Sequence, residues 1–286
     1  MAENIRIISP RGEGVRRFLN PLRIGAHLWQ HRDLIRQLTR REVVGRYKGS
    51  VIGMGWSLIQ PVVMLGVYTF VFSVIFKARW GVQADEGRFA FALALFSGLV
   101  TFGVFSEVAN SAPSLVLGNA NYVKKVVFPL EILPLVRLLS ALANALTSLA
   151  VLFAGILISG HGLHWTALLF PLVWLPMLLF TLGCGYVLAS LGVFVRDMGT
   201  LVGVATTMLF FLTPIFYPLS AVPAELRFLC RINPLAVFVE DARRVLLWGL
   251  APEWGWFFAG VAVSAATLFG GFLWFMKSKK AFADVI

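Results

Sequence analysis

The residues of this chain that could do chemistry are few, and none are spaced as a catalytic set. His27, His31, His161 and His164 are not clustered as metal ligands, and no H-E-x-x-H occurs. There is no G-x-x-x-x-G-K-[ST], and no glycine directly precedes a lysine, so ATP hydrolysis is not expected of this chain. Paired carboxylates are missing from the apolar stretches. Glu107, expected at a helix end, reads as structural. Cys184 and Cys230 make no disulfide framework. What the apolar stretches offer is aromatic surface: Tyr68, Phe70, Phe72 and Phe76 in one, Phe210, Phe211, Phe216 and Tyr217 in another. Two readings are open for these rings. They pack or face lipid, or they line a pore against which the apolar faces of sugars can slide.

Membrane spans must position such rings. The chain has 286 residues, of which 58% are hydrophobic and 14% charged. Soluble domains carry roughly a quarter charged residues, so the solvent here is lipid. A hydrocarbon core of about 30 Å needs about 20 helical residues. Uncharged runs of that order predict six spans, at Met54–Phe76, Phe89–Ser106, Leu138–Gly160, Trp165–Val195, Leu201–Tyr217 and Trp254–Met276. The fold class is an all-α membrane protein. Residues 1–48 form an N-terminal region and residues 49–286 the six-helix body, with a cytoplasmic loop at 107–137 and an outer region at 218–253.

Orientation follows from the distribution of basic residues. With the N-terminus inside, eighteen Arg and Lys lie on the cytoplasmic side and seven on the other, which favours both termini inside. Trp80, Trp165, Trp254, Trp256 and Trp274 fall near span ends, as interfacial anchors do. The net charge of +11 comes largely from the N-terminal 48 residues, and nucleic-acid signatures are absent. Those first residues are polar and arginine-rich, so the first span is expected to act as its own uncleaved insertion signal. Leu28, Leu34, Ile35, Leu38 and Val44, set among Arg32, Arg36, Arg40 and Arg41, predict an amphipathic helix along the interface; the alternative is a solvated basic helix. Residues 218–253 are too polar to span, and predict short helices at the outer face or dipping in beside the protein.

Several motifs carry a family resemblance. Arg46-Tyr47-Lys48-Gly49-Ser50, followed by Gly53, Trp56 and Pro61, is similar to the pattern R-Y-K-x-S-x-x-G-x-x-W-x-x-x-x-P. Residues 124–134, with Lys124, Lys125, Phe128, Pro129, Glu131 and Pro134, resemble K-K-x-x-F-P-x-E-I-L-P. Phe194-Val195-Arg196-Asp197 resembles F-x-R-D, Thr213 to Tyr217 resembles T-P-I-x-Y, and Asn233-Pro234 the later N-P. Together these resemble the type-2 permeases of polysaccharide-exporting ABC transporters, the Wzm-like subunits that export O-antigen.

The resemblance implies two copies of this chain with two copies of a separate ABC ATPase, which would bind the ATP and magnesium. No cofactor is expected in this chain. Lys124, Lys125, Phe128, Pro129 and Glu131 would receive the ATPase stroke. Arg196 and Asp197 would add a second contact, or close their turn as a local charge pair. Arg40, Arg41, Arg46, Tyr47, Lys48 and Trp56 would flank the cytoplasmic entrance, where basic residues attract a lipid diphosphate or simply anionic lipid. Tyr68, Phe72, Phe210 and Phe211 would line the channel, with Pro214, Phe216 and Tyr217 at the outer gate. The implied location is the bacterial inner membrane, and the implied cargo is an undecaprenyl-diphosphate-linked polysaccharide moved outward. Rival cargoes are teichoic acid, capsule, a drug or a small lipid. A membrane-embedded glycan-processing enzyme would need convergent carboxylates or histidines that the sequence does not offer.

Overall fold

A computed structural model describes residues 21–76, 80, 89–123, 128–160 and 162–285. Among the described residues the chain is helical throughout, with no strand. Two helices, α1 (Pro21–Gln30) and α2 (Arg32–Arg46), precede the first long segment. The predicted amphipathic helix is therefore two helices that break at His31. Its apolar stripe has a protein partner, because Ile35 and Leu38 are buried against Ile132 and Val136. Gly49 and Gly53 then take positive φ, which turns the chain upward at little steric cost.

The first long segment is Gly53–Ile75, built from a short 3-10 turn, α3 (Trp56–Tyr68) and a wider π-helical stretch at Thr69–Ile75. Next come α4 (Ala90–Leu115), α5 (Ala120–Val123), α6 (Leu133–Ile158), α7 (Phe170–Phe194) and α8 (Met198–Leu212). Two shorter helices, α9 (Arg227–Ile232) and α10 (Pro234–Leu246), lead into α11 (Trp254–Val285). Among the described residues five segments are long and apolar enough to cross a membrane: Gly53–Ile75, Ala90–Leu115, Leu130–Ile158, Trp165–Phe194 and Trp254–Val285.

Several expected boundaries move. The helix expected to stop before Glu107 runs on to Leu115, and the following span starts near Leu130, so the 107–137 loop shrinks to about residues 116–129. Glu107 is tolerated inside a helix because arginines neutralise it, as described below. The fifth predicted span is shorter than expected: α8 has 15 residues and ends at Leu212. Pro214 disfavours helical backbone at the residue before it, and Thr213 is extended at ψ 131°.

Helix direction follows from the packing. On α7 and α11, Tyr186 meets Phe272 and Phe275 while Phe194 meets Phe282, so these two helices run parallel. The chain between them must therefore return. Helix α8 makes that return antiparallel to α4, with Gly203 beside Asn110 and Phe210 beside Phe102. The α7–α11 crossing is tight because glycines face one another. A Cβ on Gly183 would strike the Thr267–Leu268 backbone, and one on Gly271 would strike the Gly183 carbonyl. Small residues let helices approach closely where lipid supplies no hydrophobic drive.

Candidate functional site

The expected functional residues separate to the two ends of the bundle and a path between them. At the end bearing α1 and the last turns of α11, Glu131 is only 2% exposed. Its carboxylate accepts from Lys279 Nζ at 2.7 Å and lies 2.7 Å from His27 Nε2, while its carbonyl accepts from the Tyr186 hydroxyl at 2.9 Å. Four elements are thus fastened to one residue: α1, the start of α6, α7 and α11. Glu131 is therefore a buried carboxylate whose partners all come from within the chain. Phe128 stacks on Tyr122 with ring centroids 4.2 Å apart, and Arg41 donates to the Tyr122 hydroxyl at 3.1 Å. Tyr122 and Phe128 are therefore tied to α2 as well. Lys124 and Lys125 lie outside the described residues.

Arg196 and Asp197 occupy the turn between α7 and α8, both exposed. Among the described residues neither makes an ion pair or a side-chain hydrogen bond, so the local charge pair does not form. Arg40 and Lys48 are also exposed, and Trp56 is 44% exposed.

Arg46 points elsewhere. It forms a close ion pair with Glu107 and reaches Ser140 Oγ at 3.5 Å. The hydrogen bond to Glu107 holds the Arg46 pKa above its ordinary value. Arg137 approaches the same Glu107 at 3.5 Å and Glu42 at 3.6 Å, and donates to Ser111 at 2.7 Å. Tyr47 donates to Asn144 Oδ1 at 2.8 Å. Helices α2, α4 and α6 therefore meet in a charge-balanced lattice of two arginines and two glutamates. Above it, between α3, α4 and α6, lies a cavity of about 220 Å³ lined by Ser57, Gln60, Tyr68, Phe96, Glu107 and Asn144 among others.

The aromatic residues assemble toward the opposite end. Phe216 lies 6.3 Å from Phe72, 5.1 Å from Phe210 and 6.2 Å from Phe211, so residues from the first span, α8 and the turn after it form one cluster. Tyr217 folds back and donates to the Phe211 carbonyl at 2.9 Å. Tyr68 is half-buried and faces the cavity instead. Phe211 is 62% exposed.

Arg243 holds this end together. It is fully buried and donates to three carbonyls: Ala94 at 2.8 Å, Ile215 at 2.9 Å and Pro214. Its guanidinium lies 4.5 Å from the Trp80 ring centroid, and Glu240 stands 3.7 Å away. Burial lowers its pKa to about 10, so it stays charged at neutral pH. Trp80, expected as an interfacial anchor, is instead 2% exposed because it caps this cation. Trp165, Trp254, Trp256 and Trp274 are exposed, as anchors should be. Nearby, burial raises the pKa of Glu240 and lifts that of Asp241 to about 6.

Sequence reasoning missed Arg243, although a signal existed. The apolar stripe of α10 includes Ala236, Val239 and Leu246, and helical spacing puts Arg243 on it, between Val239 and Leu246. The Glu107 lattice left no comparable trace, since its members are far apart in sequence.

Among the described residues no three His, Cys, Asp or Glu side chains come together as a metal-binding group. The fold and its polar features define a membrane-embedded helical bundle with charge gathered at its ends and in one internal lattice. The chain belongs to the ABC-2 type transporter family, whose pattern it matches over residues 33–247. It is 28% identical over 267 residues to the O-antigen export system permease protein RfbA of Myxococcus xanthus, covering 93% of this chain and all of that protein. A Klebsiella pneumoniae protein of the same name is 27% identical, covering 76% of this chain and 82% of that protein. The polysialic acid transport protein KpsM of Escherichia coli is 23% identical, covering 77% of this chain and 83% of that protein.

Proposed function

We propose that this chain is the permease subunit of an ATP-driven exporter of a cell-surface polysaccharide. The observation that carries the reading is that a relative named for O-antigen export aligns with this chain over its whole length. The ABC-2 family implies an ABC ATPase as partner, which would hold the ATP and magnesium.

In this reading α8 completes a sixth crossing, both termini lie in the cytoplasm of a bacterium, and the membrane is the inner one. Two copies assemble through faces that a single copy leaves uncovered. Support comes from the first span, where only 11% of the most apolar stretch is buried within the chain, against 78% for the second. Lipid or a second copy must cover that surface. The ATPase would press on the 119–129 segment and on the free Arg196–Asp197 turn. Glu131 would pass the movement to α1, α6 and α11 together. At the other end Phe72, Phe210, Phe211 and Phe216 form the constriction that parts when the two copies separate. The cargo, a lipid-diphosphate-linked glycan, would approach past the basic residues of α2.

The test is affinity purification of the tagged chain from its native membrane. An ABC ATPase in equal amount with this chain, in a particle with two copies of each, is the expected result. Recovery of the chain alone, with no ATPase under several mild detergents, would overturn the reading.

A further inference from the structure

Polar side chains that face a cavity inside an apolar bundle need partners, because hydrocarbon offers none. The cavity between α3, α4 and α6 extends from Ser57 to Tyr68 on α3 and from Phe96 to Glu107 on α4. Eleven residues at 1.5 Å each give a recess about 16 Å long. Among the described residues the side chains of Gln60, at the exposed mouth of the recess, and of half-buried Ser148 make no hydrogen bond, although both line it. Asn144 uses its oxygen on Tyr47 and has its amide hydrogens left to give. Phe96 and Tyr68 contribute rings.

The floor decides the charge of a ligand. Glu107 is already paired with Arg46 and Arg137, and Arg137 also with Glu42, so an ionic ligand would have to break an existing pair. An acyl chain would use the apolar side chains but leave the amide and hydroxyl groups unpaired. A molecule with hydroxyls around its edge and C–H faces above and below satisfies both sets.

We propose that this recess is a binding station for an uncharged sugar unit in transit. The assignment rests on the export reading above and locates it within one copy, beside rather than within the Phe72–Phe216 cluster. Gly103 supplies the means to test it. It lines the recess, and a Cβ built there meets nothing within 4 Å, so a side chain can start there without strain and extend toward the space the ligand needs.

Two measurements in cells carrying the intact exporter decide the matter. Gly103→Leu is expected to leave the thermal midpoint of the purified chain unchanged and to lower surface polymer about tenfold, because the added side chain occupies the sugar's space. A photoreactive phenylalanine analogue at Ser148 is expected to yield a glycan-bearing adduct on irradiation, detected by periodate labelling, while one at exposed Phe258 yields none. A phospholipid adduct at Ser148, or normal export by Gly103→Leu with no glycan adduct, overturns the proposal in favour of a lipid- or water-filled recess. If deletion of the chain leaves surface polymer intact, the export reading itself fails, and the station with it.

Discussion

Replacing Arg243 with methionine tests how the end of the bundle opposite α1 is built. The substitution keeps a long flexible side chain but leaves the carbonyls of Ala94, Pro214 and Ile215 without their donor, and Glu240 and Trp80 without their cation. Hydrogen bonds from a charged donor are each worth about 1.5–3 kcal/mol, but bonds from a single group do not add fully. Removing one partner of a buried pair costs about 3–5 kcal/mol, and a loss of about 4 kcal/mol satisfies both estimates. For a chain of this size, at about 2–4 °C per kcal/mol, the unfolding midpoint in detergent should fall by about 10 °C. Arg243→Lys should fall in between, because one ammonium cannot span three carbonyls on two elements. The assay is size-exclusion chromatography after graded heating. A methionine variant within about 2 °C of wild type would refute the reasoning, since it would mean those carbonyls are satisfied without the guanidinium.

Three further outcomes follow from the same packing. Asp241 has a carboxyl pKa raised by burial to about 6, against about 3.9 in an unfolded chain, so the folded state binds its proton more tightly. Its contribution is greatest below about pH 4 and is lost as pH rises to about 6, a change on the order of 3 kcal/mol. Asp241→Asn, which keeps the acceptor for the Glu253 amide, should flatten the melting temperature between those pH values; an unchanged slope would count against it. Gly271→Val should prevent accumulation of folded protein, because its side chain meets the Gly183 backbone, while Gly66→Ala, with open space around it, should be neutral. Expression and melting of the pair check this, and equal behaviour would contradict the glycine crossing. Glu131→Gln should raise amide exchange about tenfold in α1 and the last turns of α11, leaving α4 unchanged, because the ties to His27 and Lys279 weaken. Exchange unchanged in α1 would show that α1 is held by other contacts.

Much of this architecture was legible because lipid imposes a simple rule on sequence. Uncharged runs of about 20 residues located the long segments, although several ends moved, as from Ser106 to Leu115 and from Met276 to Val285. Errors arose where a local rule met a distant partner. Glu107 looked like a helix end because a charge in a span is costly, yet Arg46 and Arg137 arrive from elsewhere in the chain to neutralise it. Trp80 matched an anchor by position, and only the fold could show Arg243 beneath it. Glu131 lies within a recognisable motif, but a motif names a residue without saying which way it faces. The rings at Phe72, Phe210, Phe211 and Phe216 were visible in the sequence, and their convergence from two helical segments and a turn required the tertiary structure.

The proposal that this chain carries a cell-surface polysaccharide across the membrane is tested most directly by deleting its gene and locating the polymer. The account predicts that surface polysaccharide disappears, lipid-linked polymer accumulates inside the cell, and a plasmid copy of the chain restores export. Normal surface polymer with no internal accumulation would contradict it.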